Sequence, residues 1–496
     1  MNDPRPRALH AGFIQALKCV IFFFLALSCT AYASAGNSQS VNTDKAEKGL
    51  SWLTTDNLRF SGFIEAYGWS DLHKDAHTEH LKSLYNRIRA EAKYTFADPD
   101  ASSFAALQKQ DPYLLISAQS EFLWFGKDNE YSDHDLDVYE AYFHLDQGPW
   151  QLRLGKQNVR WGKADQMSPV DNINAQDLRQ FILLDLEDRK IPNWMARLRY
   201  FHQDWTLEGV FIPFFEADEL DYFGTDWALY RQAKQGVQDS QLPAALKSFV
   251  QDLGVQENTP SNTLGNSGLG FRVARELGQM DLAVSWLTVK ETMPHIQTFP
   301  VQNLRVTGPF SARDIQDAAA HPVPVPGEDI QVDYLRTRIY GLEFESVLQD
   351  FGIRGEAAYF DRQSFLQEDL TSTAREVLHV VAGLDYMGSS GWYANVQLSE
   401  QKIFDYQDHI LFFKEHNVSL LGELSKEWAR GTWEASAQGL YYVTDKSWHL
   451  NPELTYSPLP ALDLSLGLHM FQGESDTILG QFDGNDQAYL RVKYYF

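Results

Sequence analysis

An alternation of apolar and polar side chains, repeated along most of the chain, is the feature that most constrains its fold. It is clearest in the last ten residues, Gln487-Ala-Tyr-Leu-Arg-Val-Lys-Tyr-Tyr-Phe496, where every second side chain from Ala488 onward is apolar or aromatic. A period of two residues is that of a β-strand, whose successive side chains point to opposite faces. Similar segments of roughly 10 to 14 residues recur about eighteen times between residues 57 and 496. We therefore predict an all-β fold.

The lengths of the connections indicate how these segments are arranged. The three longest connections, 158–193, 214–266 and 291–332, all follow odd-numbered segments, whereas short turns such as 147–149 and 457–460 follow even-numbered ones. Short periplasmic turns and longer extracellular loops are typical of outer-membrane barrels. We therefore predict a transmembrane antiparallel up-and-down β-barrel of about 18 strands (16–18) over residues 57–496.

The first 35 residues have the pattern of a cleaved secretory signal. Basic residues (Arg5, Arg7 and Lys18) precede an apolar run, and either Ala31-Tyr32-Ala33 or Ala33-Ser34-Ala35 offers a cleavage site. This pattern predicts export through the periplasm to the outer membrane of a Gram-negative cell, with residues 36–56 as a short periplasmic lead. Both cysteines of the chain lie within the predicted signal, so the mature protein has none for disulfides or metal ligation.

Composition and motifs narrow the class of function. A formal net charge of −25 argues against binding to nucleic acid, which favours a basic surface. Aromatic residues make up 14% of the chain, which suits the two interfacial girdles of a membrane barrel. Neither a His-Glu-x-x-His nor a Gly-x-Ser-x-Gly motif occurs, and we expect no enzymatic activity, no cofactor and no metal site.

Arginines concentrate at alternate positions of the predicted strands. Facing lipid at the bilayer midplane would cost about 2–4 kcal/mol for each, so the alternation predicts that they face the lumen. Two interpretations remain open: the arginines pair with lumen carboxylates, or they form a positively charged path for an anionic solute. The predicted lumen residues are Arg87, Arg89, Arg153, Arg197, Arg199, Arg336, Arg338 and Arg354.

The connection 158–193 is predicted to fold into the barrel and narrow it. Its apolar run Phe181-Ile-Leu-Leu184 would be costly to expose to water, which favours the inward fold over a solvated outer loop. Acids and bases set across such a constriction would create a transverse field and a size limit. The predicted constriction residues are Arg160, Lys163, Asp171, Asp185, Glu187, Asp188 and Arg189.

Two resemblances supplement these patterns. The runs Arg153–Lys163, Pro169–Asn174, Asp185–Met195 and Gly209–Glu216 resemble a bacterial outer-membrane family catalogued as a domain of unknown function and expected to form porin-like barrels. In length and strand count the chain is also similar to the alginate-export barrel, an eighteen-stranded porin with an arginine-rich lumen. Tyr494 and Phe496 resemble the C-terminal sorting signal of outer-membrane barrels, which implies the barrel-assembly machinery as a partner.

Together, the sequence predicts a porin-like channel for passive passage or export of a solute or polymer, with an anionic solute as one candidate. The expected partners are outer-membrane lipid, lipopolysaccharide, the barrel-assembly machinery and an unidentified solute. The alternative is a structural or docking barrel that sheathes a partner protein of an envelope transport or electron-transfer system.

Overall fold

The computed structural model describes residues 57–72, 83–96, 112–125, 131–228, 230, 234, 238, 244–302, 323–388, 390–474 and 476–496. The predicted signal (1–35) and periplasmic lead (36–56) lie outside these residues, and both remain predictions.

Eighteen long strands form one sheet. Each is numbered here in chain order. The strands are β1 Leu58–Asp71, β2 Ser83–Thr95, β3 Tyr113–Phe125, β4 Tyr131–Gln147, β5 Trp150–Gln157, β6 Asn193–His202, β7 Trp205–Ile212, β8 Gly268–Leu277, β9 Met280–Lys290, β10 Arg336–Leu348, β11 Phe351–Leu366, β12 Ser372–Met387, β13 Trp392–Ile403, β14 His416–Trp428, β15 Trp433–Tyr442, β16 Trp448–Leu459, β17 Leu462–Gln472 and β18 Gln487–Tyr495.

The sheet closes on itself. Every strand pairs antiparallel with its neighbour in sequence, and β18 pairs back onto β1 from Phe63 opposite Tyr495 to Asp71 opposite Gln487. Backbone hydrogen bonds between Gly62 and Phe496, 2.9 and 3.0 Å long, extend this seam. Closure satisfies the backbone groups that a free sheet edge would expose. The prediction of an antiparallel barrel of about 18 strands is confirmed.

The two faces of the wall differ as the alternation predicted. Large apolar side chains on the outer face, among them Ile88, Leu198, Val284, Leu398 and Leu466, are 44–59% exposed. Aromatic side chains, including Trp150, Trp205, Trp392 and Trp428, lie on the outer face beside the short turns. An apolar exterior flanked by aromatic rings matches the hydrocarbon core and interface of a membrane.

Connection lengths also follow the predicted pattern. Tight turns such as 148–149 and 278–279 join β4 to β5 and β8 to β9, with Gly148 and Gly278 at positive φ (57° and 67°), as short hairpins require. The long connections lie at the opposite end of the barrel. One irregularity was not predicted: Tyr139 is an extra residue in β4, between the pairs Ser117–Glu140 and Ala118–Val138, and this β-bulge lets its ring point inward.

The long connections contain the remaining elements. Within 158–193 lie the paired strands Ala175–Gln176 and Lys190–Ile191 and a short helix, α1 (Leu186–Arg189). The later loops contain helix α2 (Ala244–Asp252), 3-10 helices Leu264–Asn266 and Gly480–Phe482, and strand pairings among Val255–Glu257, His295–Thr298, Val301–Gln302, Val323–Pro324 and Ile330–Asp333. Within the described residues, each helix is too short or too polar to cross a bilayer.

Candidate functional site

Residues 158–193 leave β5, run along the inner face of the barrel and return to β6. Asn174 joins the two arms of this inward loop. Its Oδ1 accepts a hydrogen bond from the Val159 N–H (2.8 Å), and its Nδ2 donates to the carbonyl oxygens of Gln157 (3.3 Å) and Ile191 (3.0 Å). Because Asn174 is buried, these bonds are shielded from competing water and fix the base of the loop.

The outgoing arm packs against the wall formed by β6 to β12. Trp161 is buried there, and its Nε1 donates to Glu208 Oε1 at 2.8 Å. Two wall glycines make room for the arm: a Cβ on Gly270 would lie 2.8 Å from the Trp161 ring, and one on Gly341 would lie 3.0 Å from Val170. The arm and this wall therefore share one apolar cluster.

Glu356 on β11 holds the far turn of the inward loop. Its carboxylate accepts hydrogen bonds from the backbone N–H groups of Lys163 and Ala164 and from the Ser168 hydroxyl (2.6 Å). Gly162 precedes this turn at a φ of 94°, where a Cβ would collide with Ser168 and Glu356. A buried carboxylate with three donors is a strong, directional anchor.

The next residues of the turn reach strands β10 to β13. Lys163 Nζ lies 2.7 Å from Glu345, and Asp165 accepts from Arg354 Nη1 (3.1 Å) and Asn395 Nδ2 (2.9 Å). Arg354 also pairs with Asp385. The predicted lumen residue Arg354 and the predicted constriction residue Lys163 are thus both ion-paired between loop and wall.

The returning arm meets the opposite side of the barrel. Phe181 packs on Trp227, Phe471 and Phe482, within an apolar cluster that includes Tyr67 and other inward residues of β1 to β3 and β15 to β18. This cluster buries Leu184 and partly covers residues 181–183, the run that the sequence identified as too apolar to leave in water. Contacts on both sides of the barrel mean that the inward loop crosses the lumen.

A chain of charges ties helix α1 to the wall. Asp188 lies 2.8 Å from Arg87 Nη2, which also contacts Glu65 at 2.6 Å, and Lys493 lies 3.4 Å from the same Glu65. Arg87 and Glu65 are both 0% exposed. Burial favours protonated Asp188, but Arg87 and Lys493 outweigh it and lower the pKa of this carboxyl.

The remaining predicted constriction residues differ in their surroundings. Lys190 and Asp171 form a buried pair 2.5 Å apart, and burial raises the pKa of Asp171 and lowers that of Lys190. Arg189 is also buried, and burial lowers its pKa to about 10. Arg160 and Glu187 lie 3.4 Å apart and are open to solvent, as is Asp185.

The predicted lumen arginines on β2, β5 and β6 have partners on the inner wall, some of them carboxylates and some neutral. Arg197 and Arg199 both face Glu208, at 2.8 and 3.6 Å. Arg153 donates to His144 Nδ1 (3.0 Å), and Arg89 donates to Gln119 (2.6 Å) and lies 3.5 Å from the centre of the Tyr139 ring. Two further inward ion pairs, Arg272–Glu343 and Arg491–Glu453, were not among the predicted sites, although the same alternation places them inside.

The prediction was wrong for Arg336 and Arg338. In β10 the inward positions are those of Thr337, Ile339 and Glu343, so both arginines share the outer face with Tyr340 and Leu342. The Arg338 side chain is 61% exposed and lies 3.7 Å from Asp361. Arg336 donates to the Ser267 and Gly265 carbonyl oxygens (2.9 and 2.8 Å). Both lie at the loop end of the strand, beyond the region where lipid would penalise a charge.

Exposure of inward-facing residues locates the space that the loop leaves open. On β1 and β2, inward residues such as Trp69 and Tyr85 are covered completely. On β15, every inward residue from Glu434 to Tyr442 keeps partial exposure, as do Glu423 on β14 and Glu453 on β16. We call the space between the inward loop and the inner faces of β14–β16 the passage.

The chain is similar to one protein family and to several solved structures. The model of a family described as "Protein of unknown function (DUF1302)" matches residues 36–495, while the curated proteins contain no match. Similar solved structures include Acinetobacter baumannii OccAB1 (8% identity, 88% of this chain and 96% of that one, TM-score 0.48). Others are a BenF-like porin from Pseudomonas fluorescens Pf-5 and Pseudomonas aeruginosa OpdK with vanillate, each with 9% identity, 89% and 98% coverage and a TM-score of 0.45.

Proposed function

The chain belongs to the DUF1302 family of proteins of unknown function, and we propose that it forms a porin-like channel in the outer membrane for passive passage of a solute. The observation that carries this proposal is the partial exposure of inward residues along β14–β16, beside a loop that contacts both sides of the barrel. Water-accessible side chains on the inside of a closed wall are what a conducting barrel requires.

The inward loop acts as the constriction in this proposal. Its contacts with Arg87 on β2 and Glu356 on β11 span the lumen, so a solute must pass through the space that remains beside it. The outer apolar belt would contact the lipid, including lipopolysaccharide in the outer leaflet. Tyr494 and Phe496 stay our predicted signal to the barrel-assembly machinery.

Pairing of the arginines weakens the prediction of an anionic solute. Arg87, Arg197 and Arg354 each lie within 3.1 Å of a carboxylate oxygen, so their charges are largely balanced locally. An anion would have to compete with these carboxylates for each guanidinium. We therefore propose a channel without a positively charged arginine path for anions.

The test is ion conduction by refolded protein in planar bilayers. A folded barrel should migrate differently on gels before and after boiling, and it should give discrete conductance steps. Deletion of 163–190 should raise the conductance because it removes the constriction. If neither protein conducts, although both show the heat-dependent gel shift, the channel proposal is wrong. Co-purification with one partner in fixed ratio would then favour the docking barrel.

A further inference from the structure

Carboxylates line the passage on its wall side. Glu423 on β14, Glu434 on β15 and Glu453 on β16 all face inward, and each remains partly exposed. Glu427 and Asp463 face inward nearer the short turns. Among the described residues, ion pairing links a cation to Glu453 alone of these five. The wall of the passage therefore carries more carboxylates than cations that pair with them.

The inward loop adds carboxylates on the other side of the passage. Asp165 and Asp185 both lie close enough to Glu423 for their negative charges to repel it. Asp185 is repelled by Glu453 in the same way. The Asp165 side chain is 38% exposed even though it pairs with Arg354. Asp185 precedes α1 and is open to the lumen. A solute in the passage would thus meet carboxylates on both sides.

Cations near the passage are already engaged. Arg491 Nη2 lies 2.8 Å from Glu453, Lys493 lies 3.4 Å from Glu65, and Arg354 pairs with Asp385 and Asp165. Three inward cations that lack a carboxylate partner among the described residues lie on β2 and β5, away from β14–β16: Arg89, Lys93 and Arg153. Each is stacked on a tyrosine ring.

We propose that the passage selects for cations, so that the solute of this channel carries net positive charge or passes as a metal or organic cation. This inference rests on the proposed channel function. It concerns ions in transit and requires no bound cation. Rings of Asp and Glu select cations in pores because they raise the local cation concentration and repel anions. One unit charge about 10 Å away through water changes that concentration by about twofold.

The first experiment measures the reversal potential in planar bilayers across a KCl gradient. The wild-type channel should favour K⁺ over Cl⁻. The variant Glu423→Gln with Glu434→Gln should lower the permeability ratio at least about twofold, and Asp185→Asn should lower it from the loop side. Glu400→Gln is the matched control, because it removes the same charge from the outer face, where Glu400 contacts His416, and it should leave the ratio unchanged.

A second readout uses uptake into liposomes. Proteoliposomes should admit lysine faster than glutamate, and the difference should shrink in the double variant. A preference for Cl⁻ would overturn the cation inference but not the channel proposal. The same holds if the wild type prefers K⁺ and the double variant Glu423→Gln with Glu434→Gln shows an unchanged preference. Absence of conduction from folded wild type and from the 163–190 deletion would overturn both. The heat-dependent gel shift shows whether each variant has folded.

Discussion

Replacement of Glu356 by glutamine tests how the inward loop is held. The carboxylate accepts bonds from the Lys163 and Ala164 N–H groups and from the Ser168 hydroxyl, and it is buried against the turn. Hydrogen bonds to a charged group contribute about 1.5–3 kcal/mol each. Glutamine keeps one acceptor oxygen but loses the charge, and its NH₂ group faces either the hydroxyl or a backbone N–H. We expect docking of the loop to weaken by about 2–4 kcal/mol.

That loss has a measurable consequence. Since 1.4 kcal/mol is tenfold in an equilibrium constant, the undocked population should rise by about 30-fold to about 700-fold. In refolded Glu356→Gln protein, proteases should cut within 158–193 faster, and bilayer recordings should show larger or noisier conductance than the wild type. The location of each cut is read from peptide masses.

Glu345→Gln is the matched control for this experiment. Glu345 lies on the neighbouring strand and pairs with Lys163 Nζ at 2.7 Å, but both side chains are about one-third exposed. An ion pair of this kind contributes about 0–1 kcal/mol, so its loss should change docking by no more than about fivefold. If Glu356→Gln matches the wild type in cleavage and conductance while its barrel is intact, the carboxylate does not hold the loop and our account of the constriction is wrong.

Two further results are expected. Burial raises the pKa of Asp218 to about 6 and those of Glu219 and Glu291 to about 7, so these loops bind more protons when folded and should become more stable as pH falls from about 7 to about 4. Hydrogen exchange, corrected for its intrinsic pH dependence, should show greater protection of 214–221 at pH 5 than at pH 8, and Asp218→Asn should reduce this difference. Arg338→Gln should leave conductance and ion preference unchanged because Arg338 lies on the outer face; a lower conductance would contradict that position.

Strand alternation can assign wall residues to a face because a shift by one residue would turn every apolar side chain of the strand from the outer face to the inner one. Arg87 donates to Glu65, Arg153 to His144 and Arg197 to Glu208, each on a neighbouring strand. The ion pair between Arg87 and Glu65 is also within reach of sequence reasoning, since a hairpin register sets these two residues opposite each other on β1 and β2.

The failure at Arg336 and Arg338 has a physical origin. The start of β10, Arg336-Thr-Arg-Ile-Tyr-Gly-Leu, has apolar residues on both faces, so its pattern does not distinguish inside from outside. The signal lies further along the strand: Glu343 and Glu345 are near the middle of the wall and must avoid lipid. They share a face with Thr337 and Ile339, which puts the arginines on the other face.

Contacts between the inward loop and distant strands were beyond prediction from one sequence. Alternation assigns each wall residue to a face but gives no angle around the barrel, so nothing indicates that Glu356 meets the turn at 162–168. The role of the wall glycines could not be predicted for the same reason. Gly270 and Gly341 fit their strands poorly by propensity alone, and their purpose is visible only when Trp161 and Val170 are packed against them.

The charge of a lumen is what remains after its ion pairs have formed, and this changes the meaning of the arginine pattern. A buried guanidinium is much more stable with a carboxylate beside it, so a covered arginine such as Arg87 is paired with an acid, Glu65. In a chain with 67 acidic and 42 basic residues, acids outnumber the bases available to pair with them. Acids such as Glu423 and Glu434 that remain unpaired collect where water persists, which is along the passage. Arginines such as Arg87, which suggested an anion path, are thus balanced by neighbouring carboxylates. The acids that remain unpaired then give the open part of this lumen its negative charge.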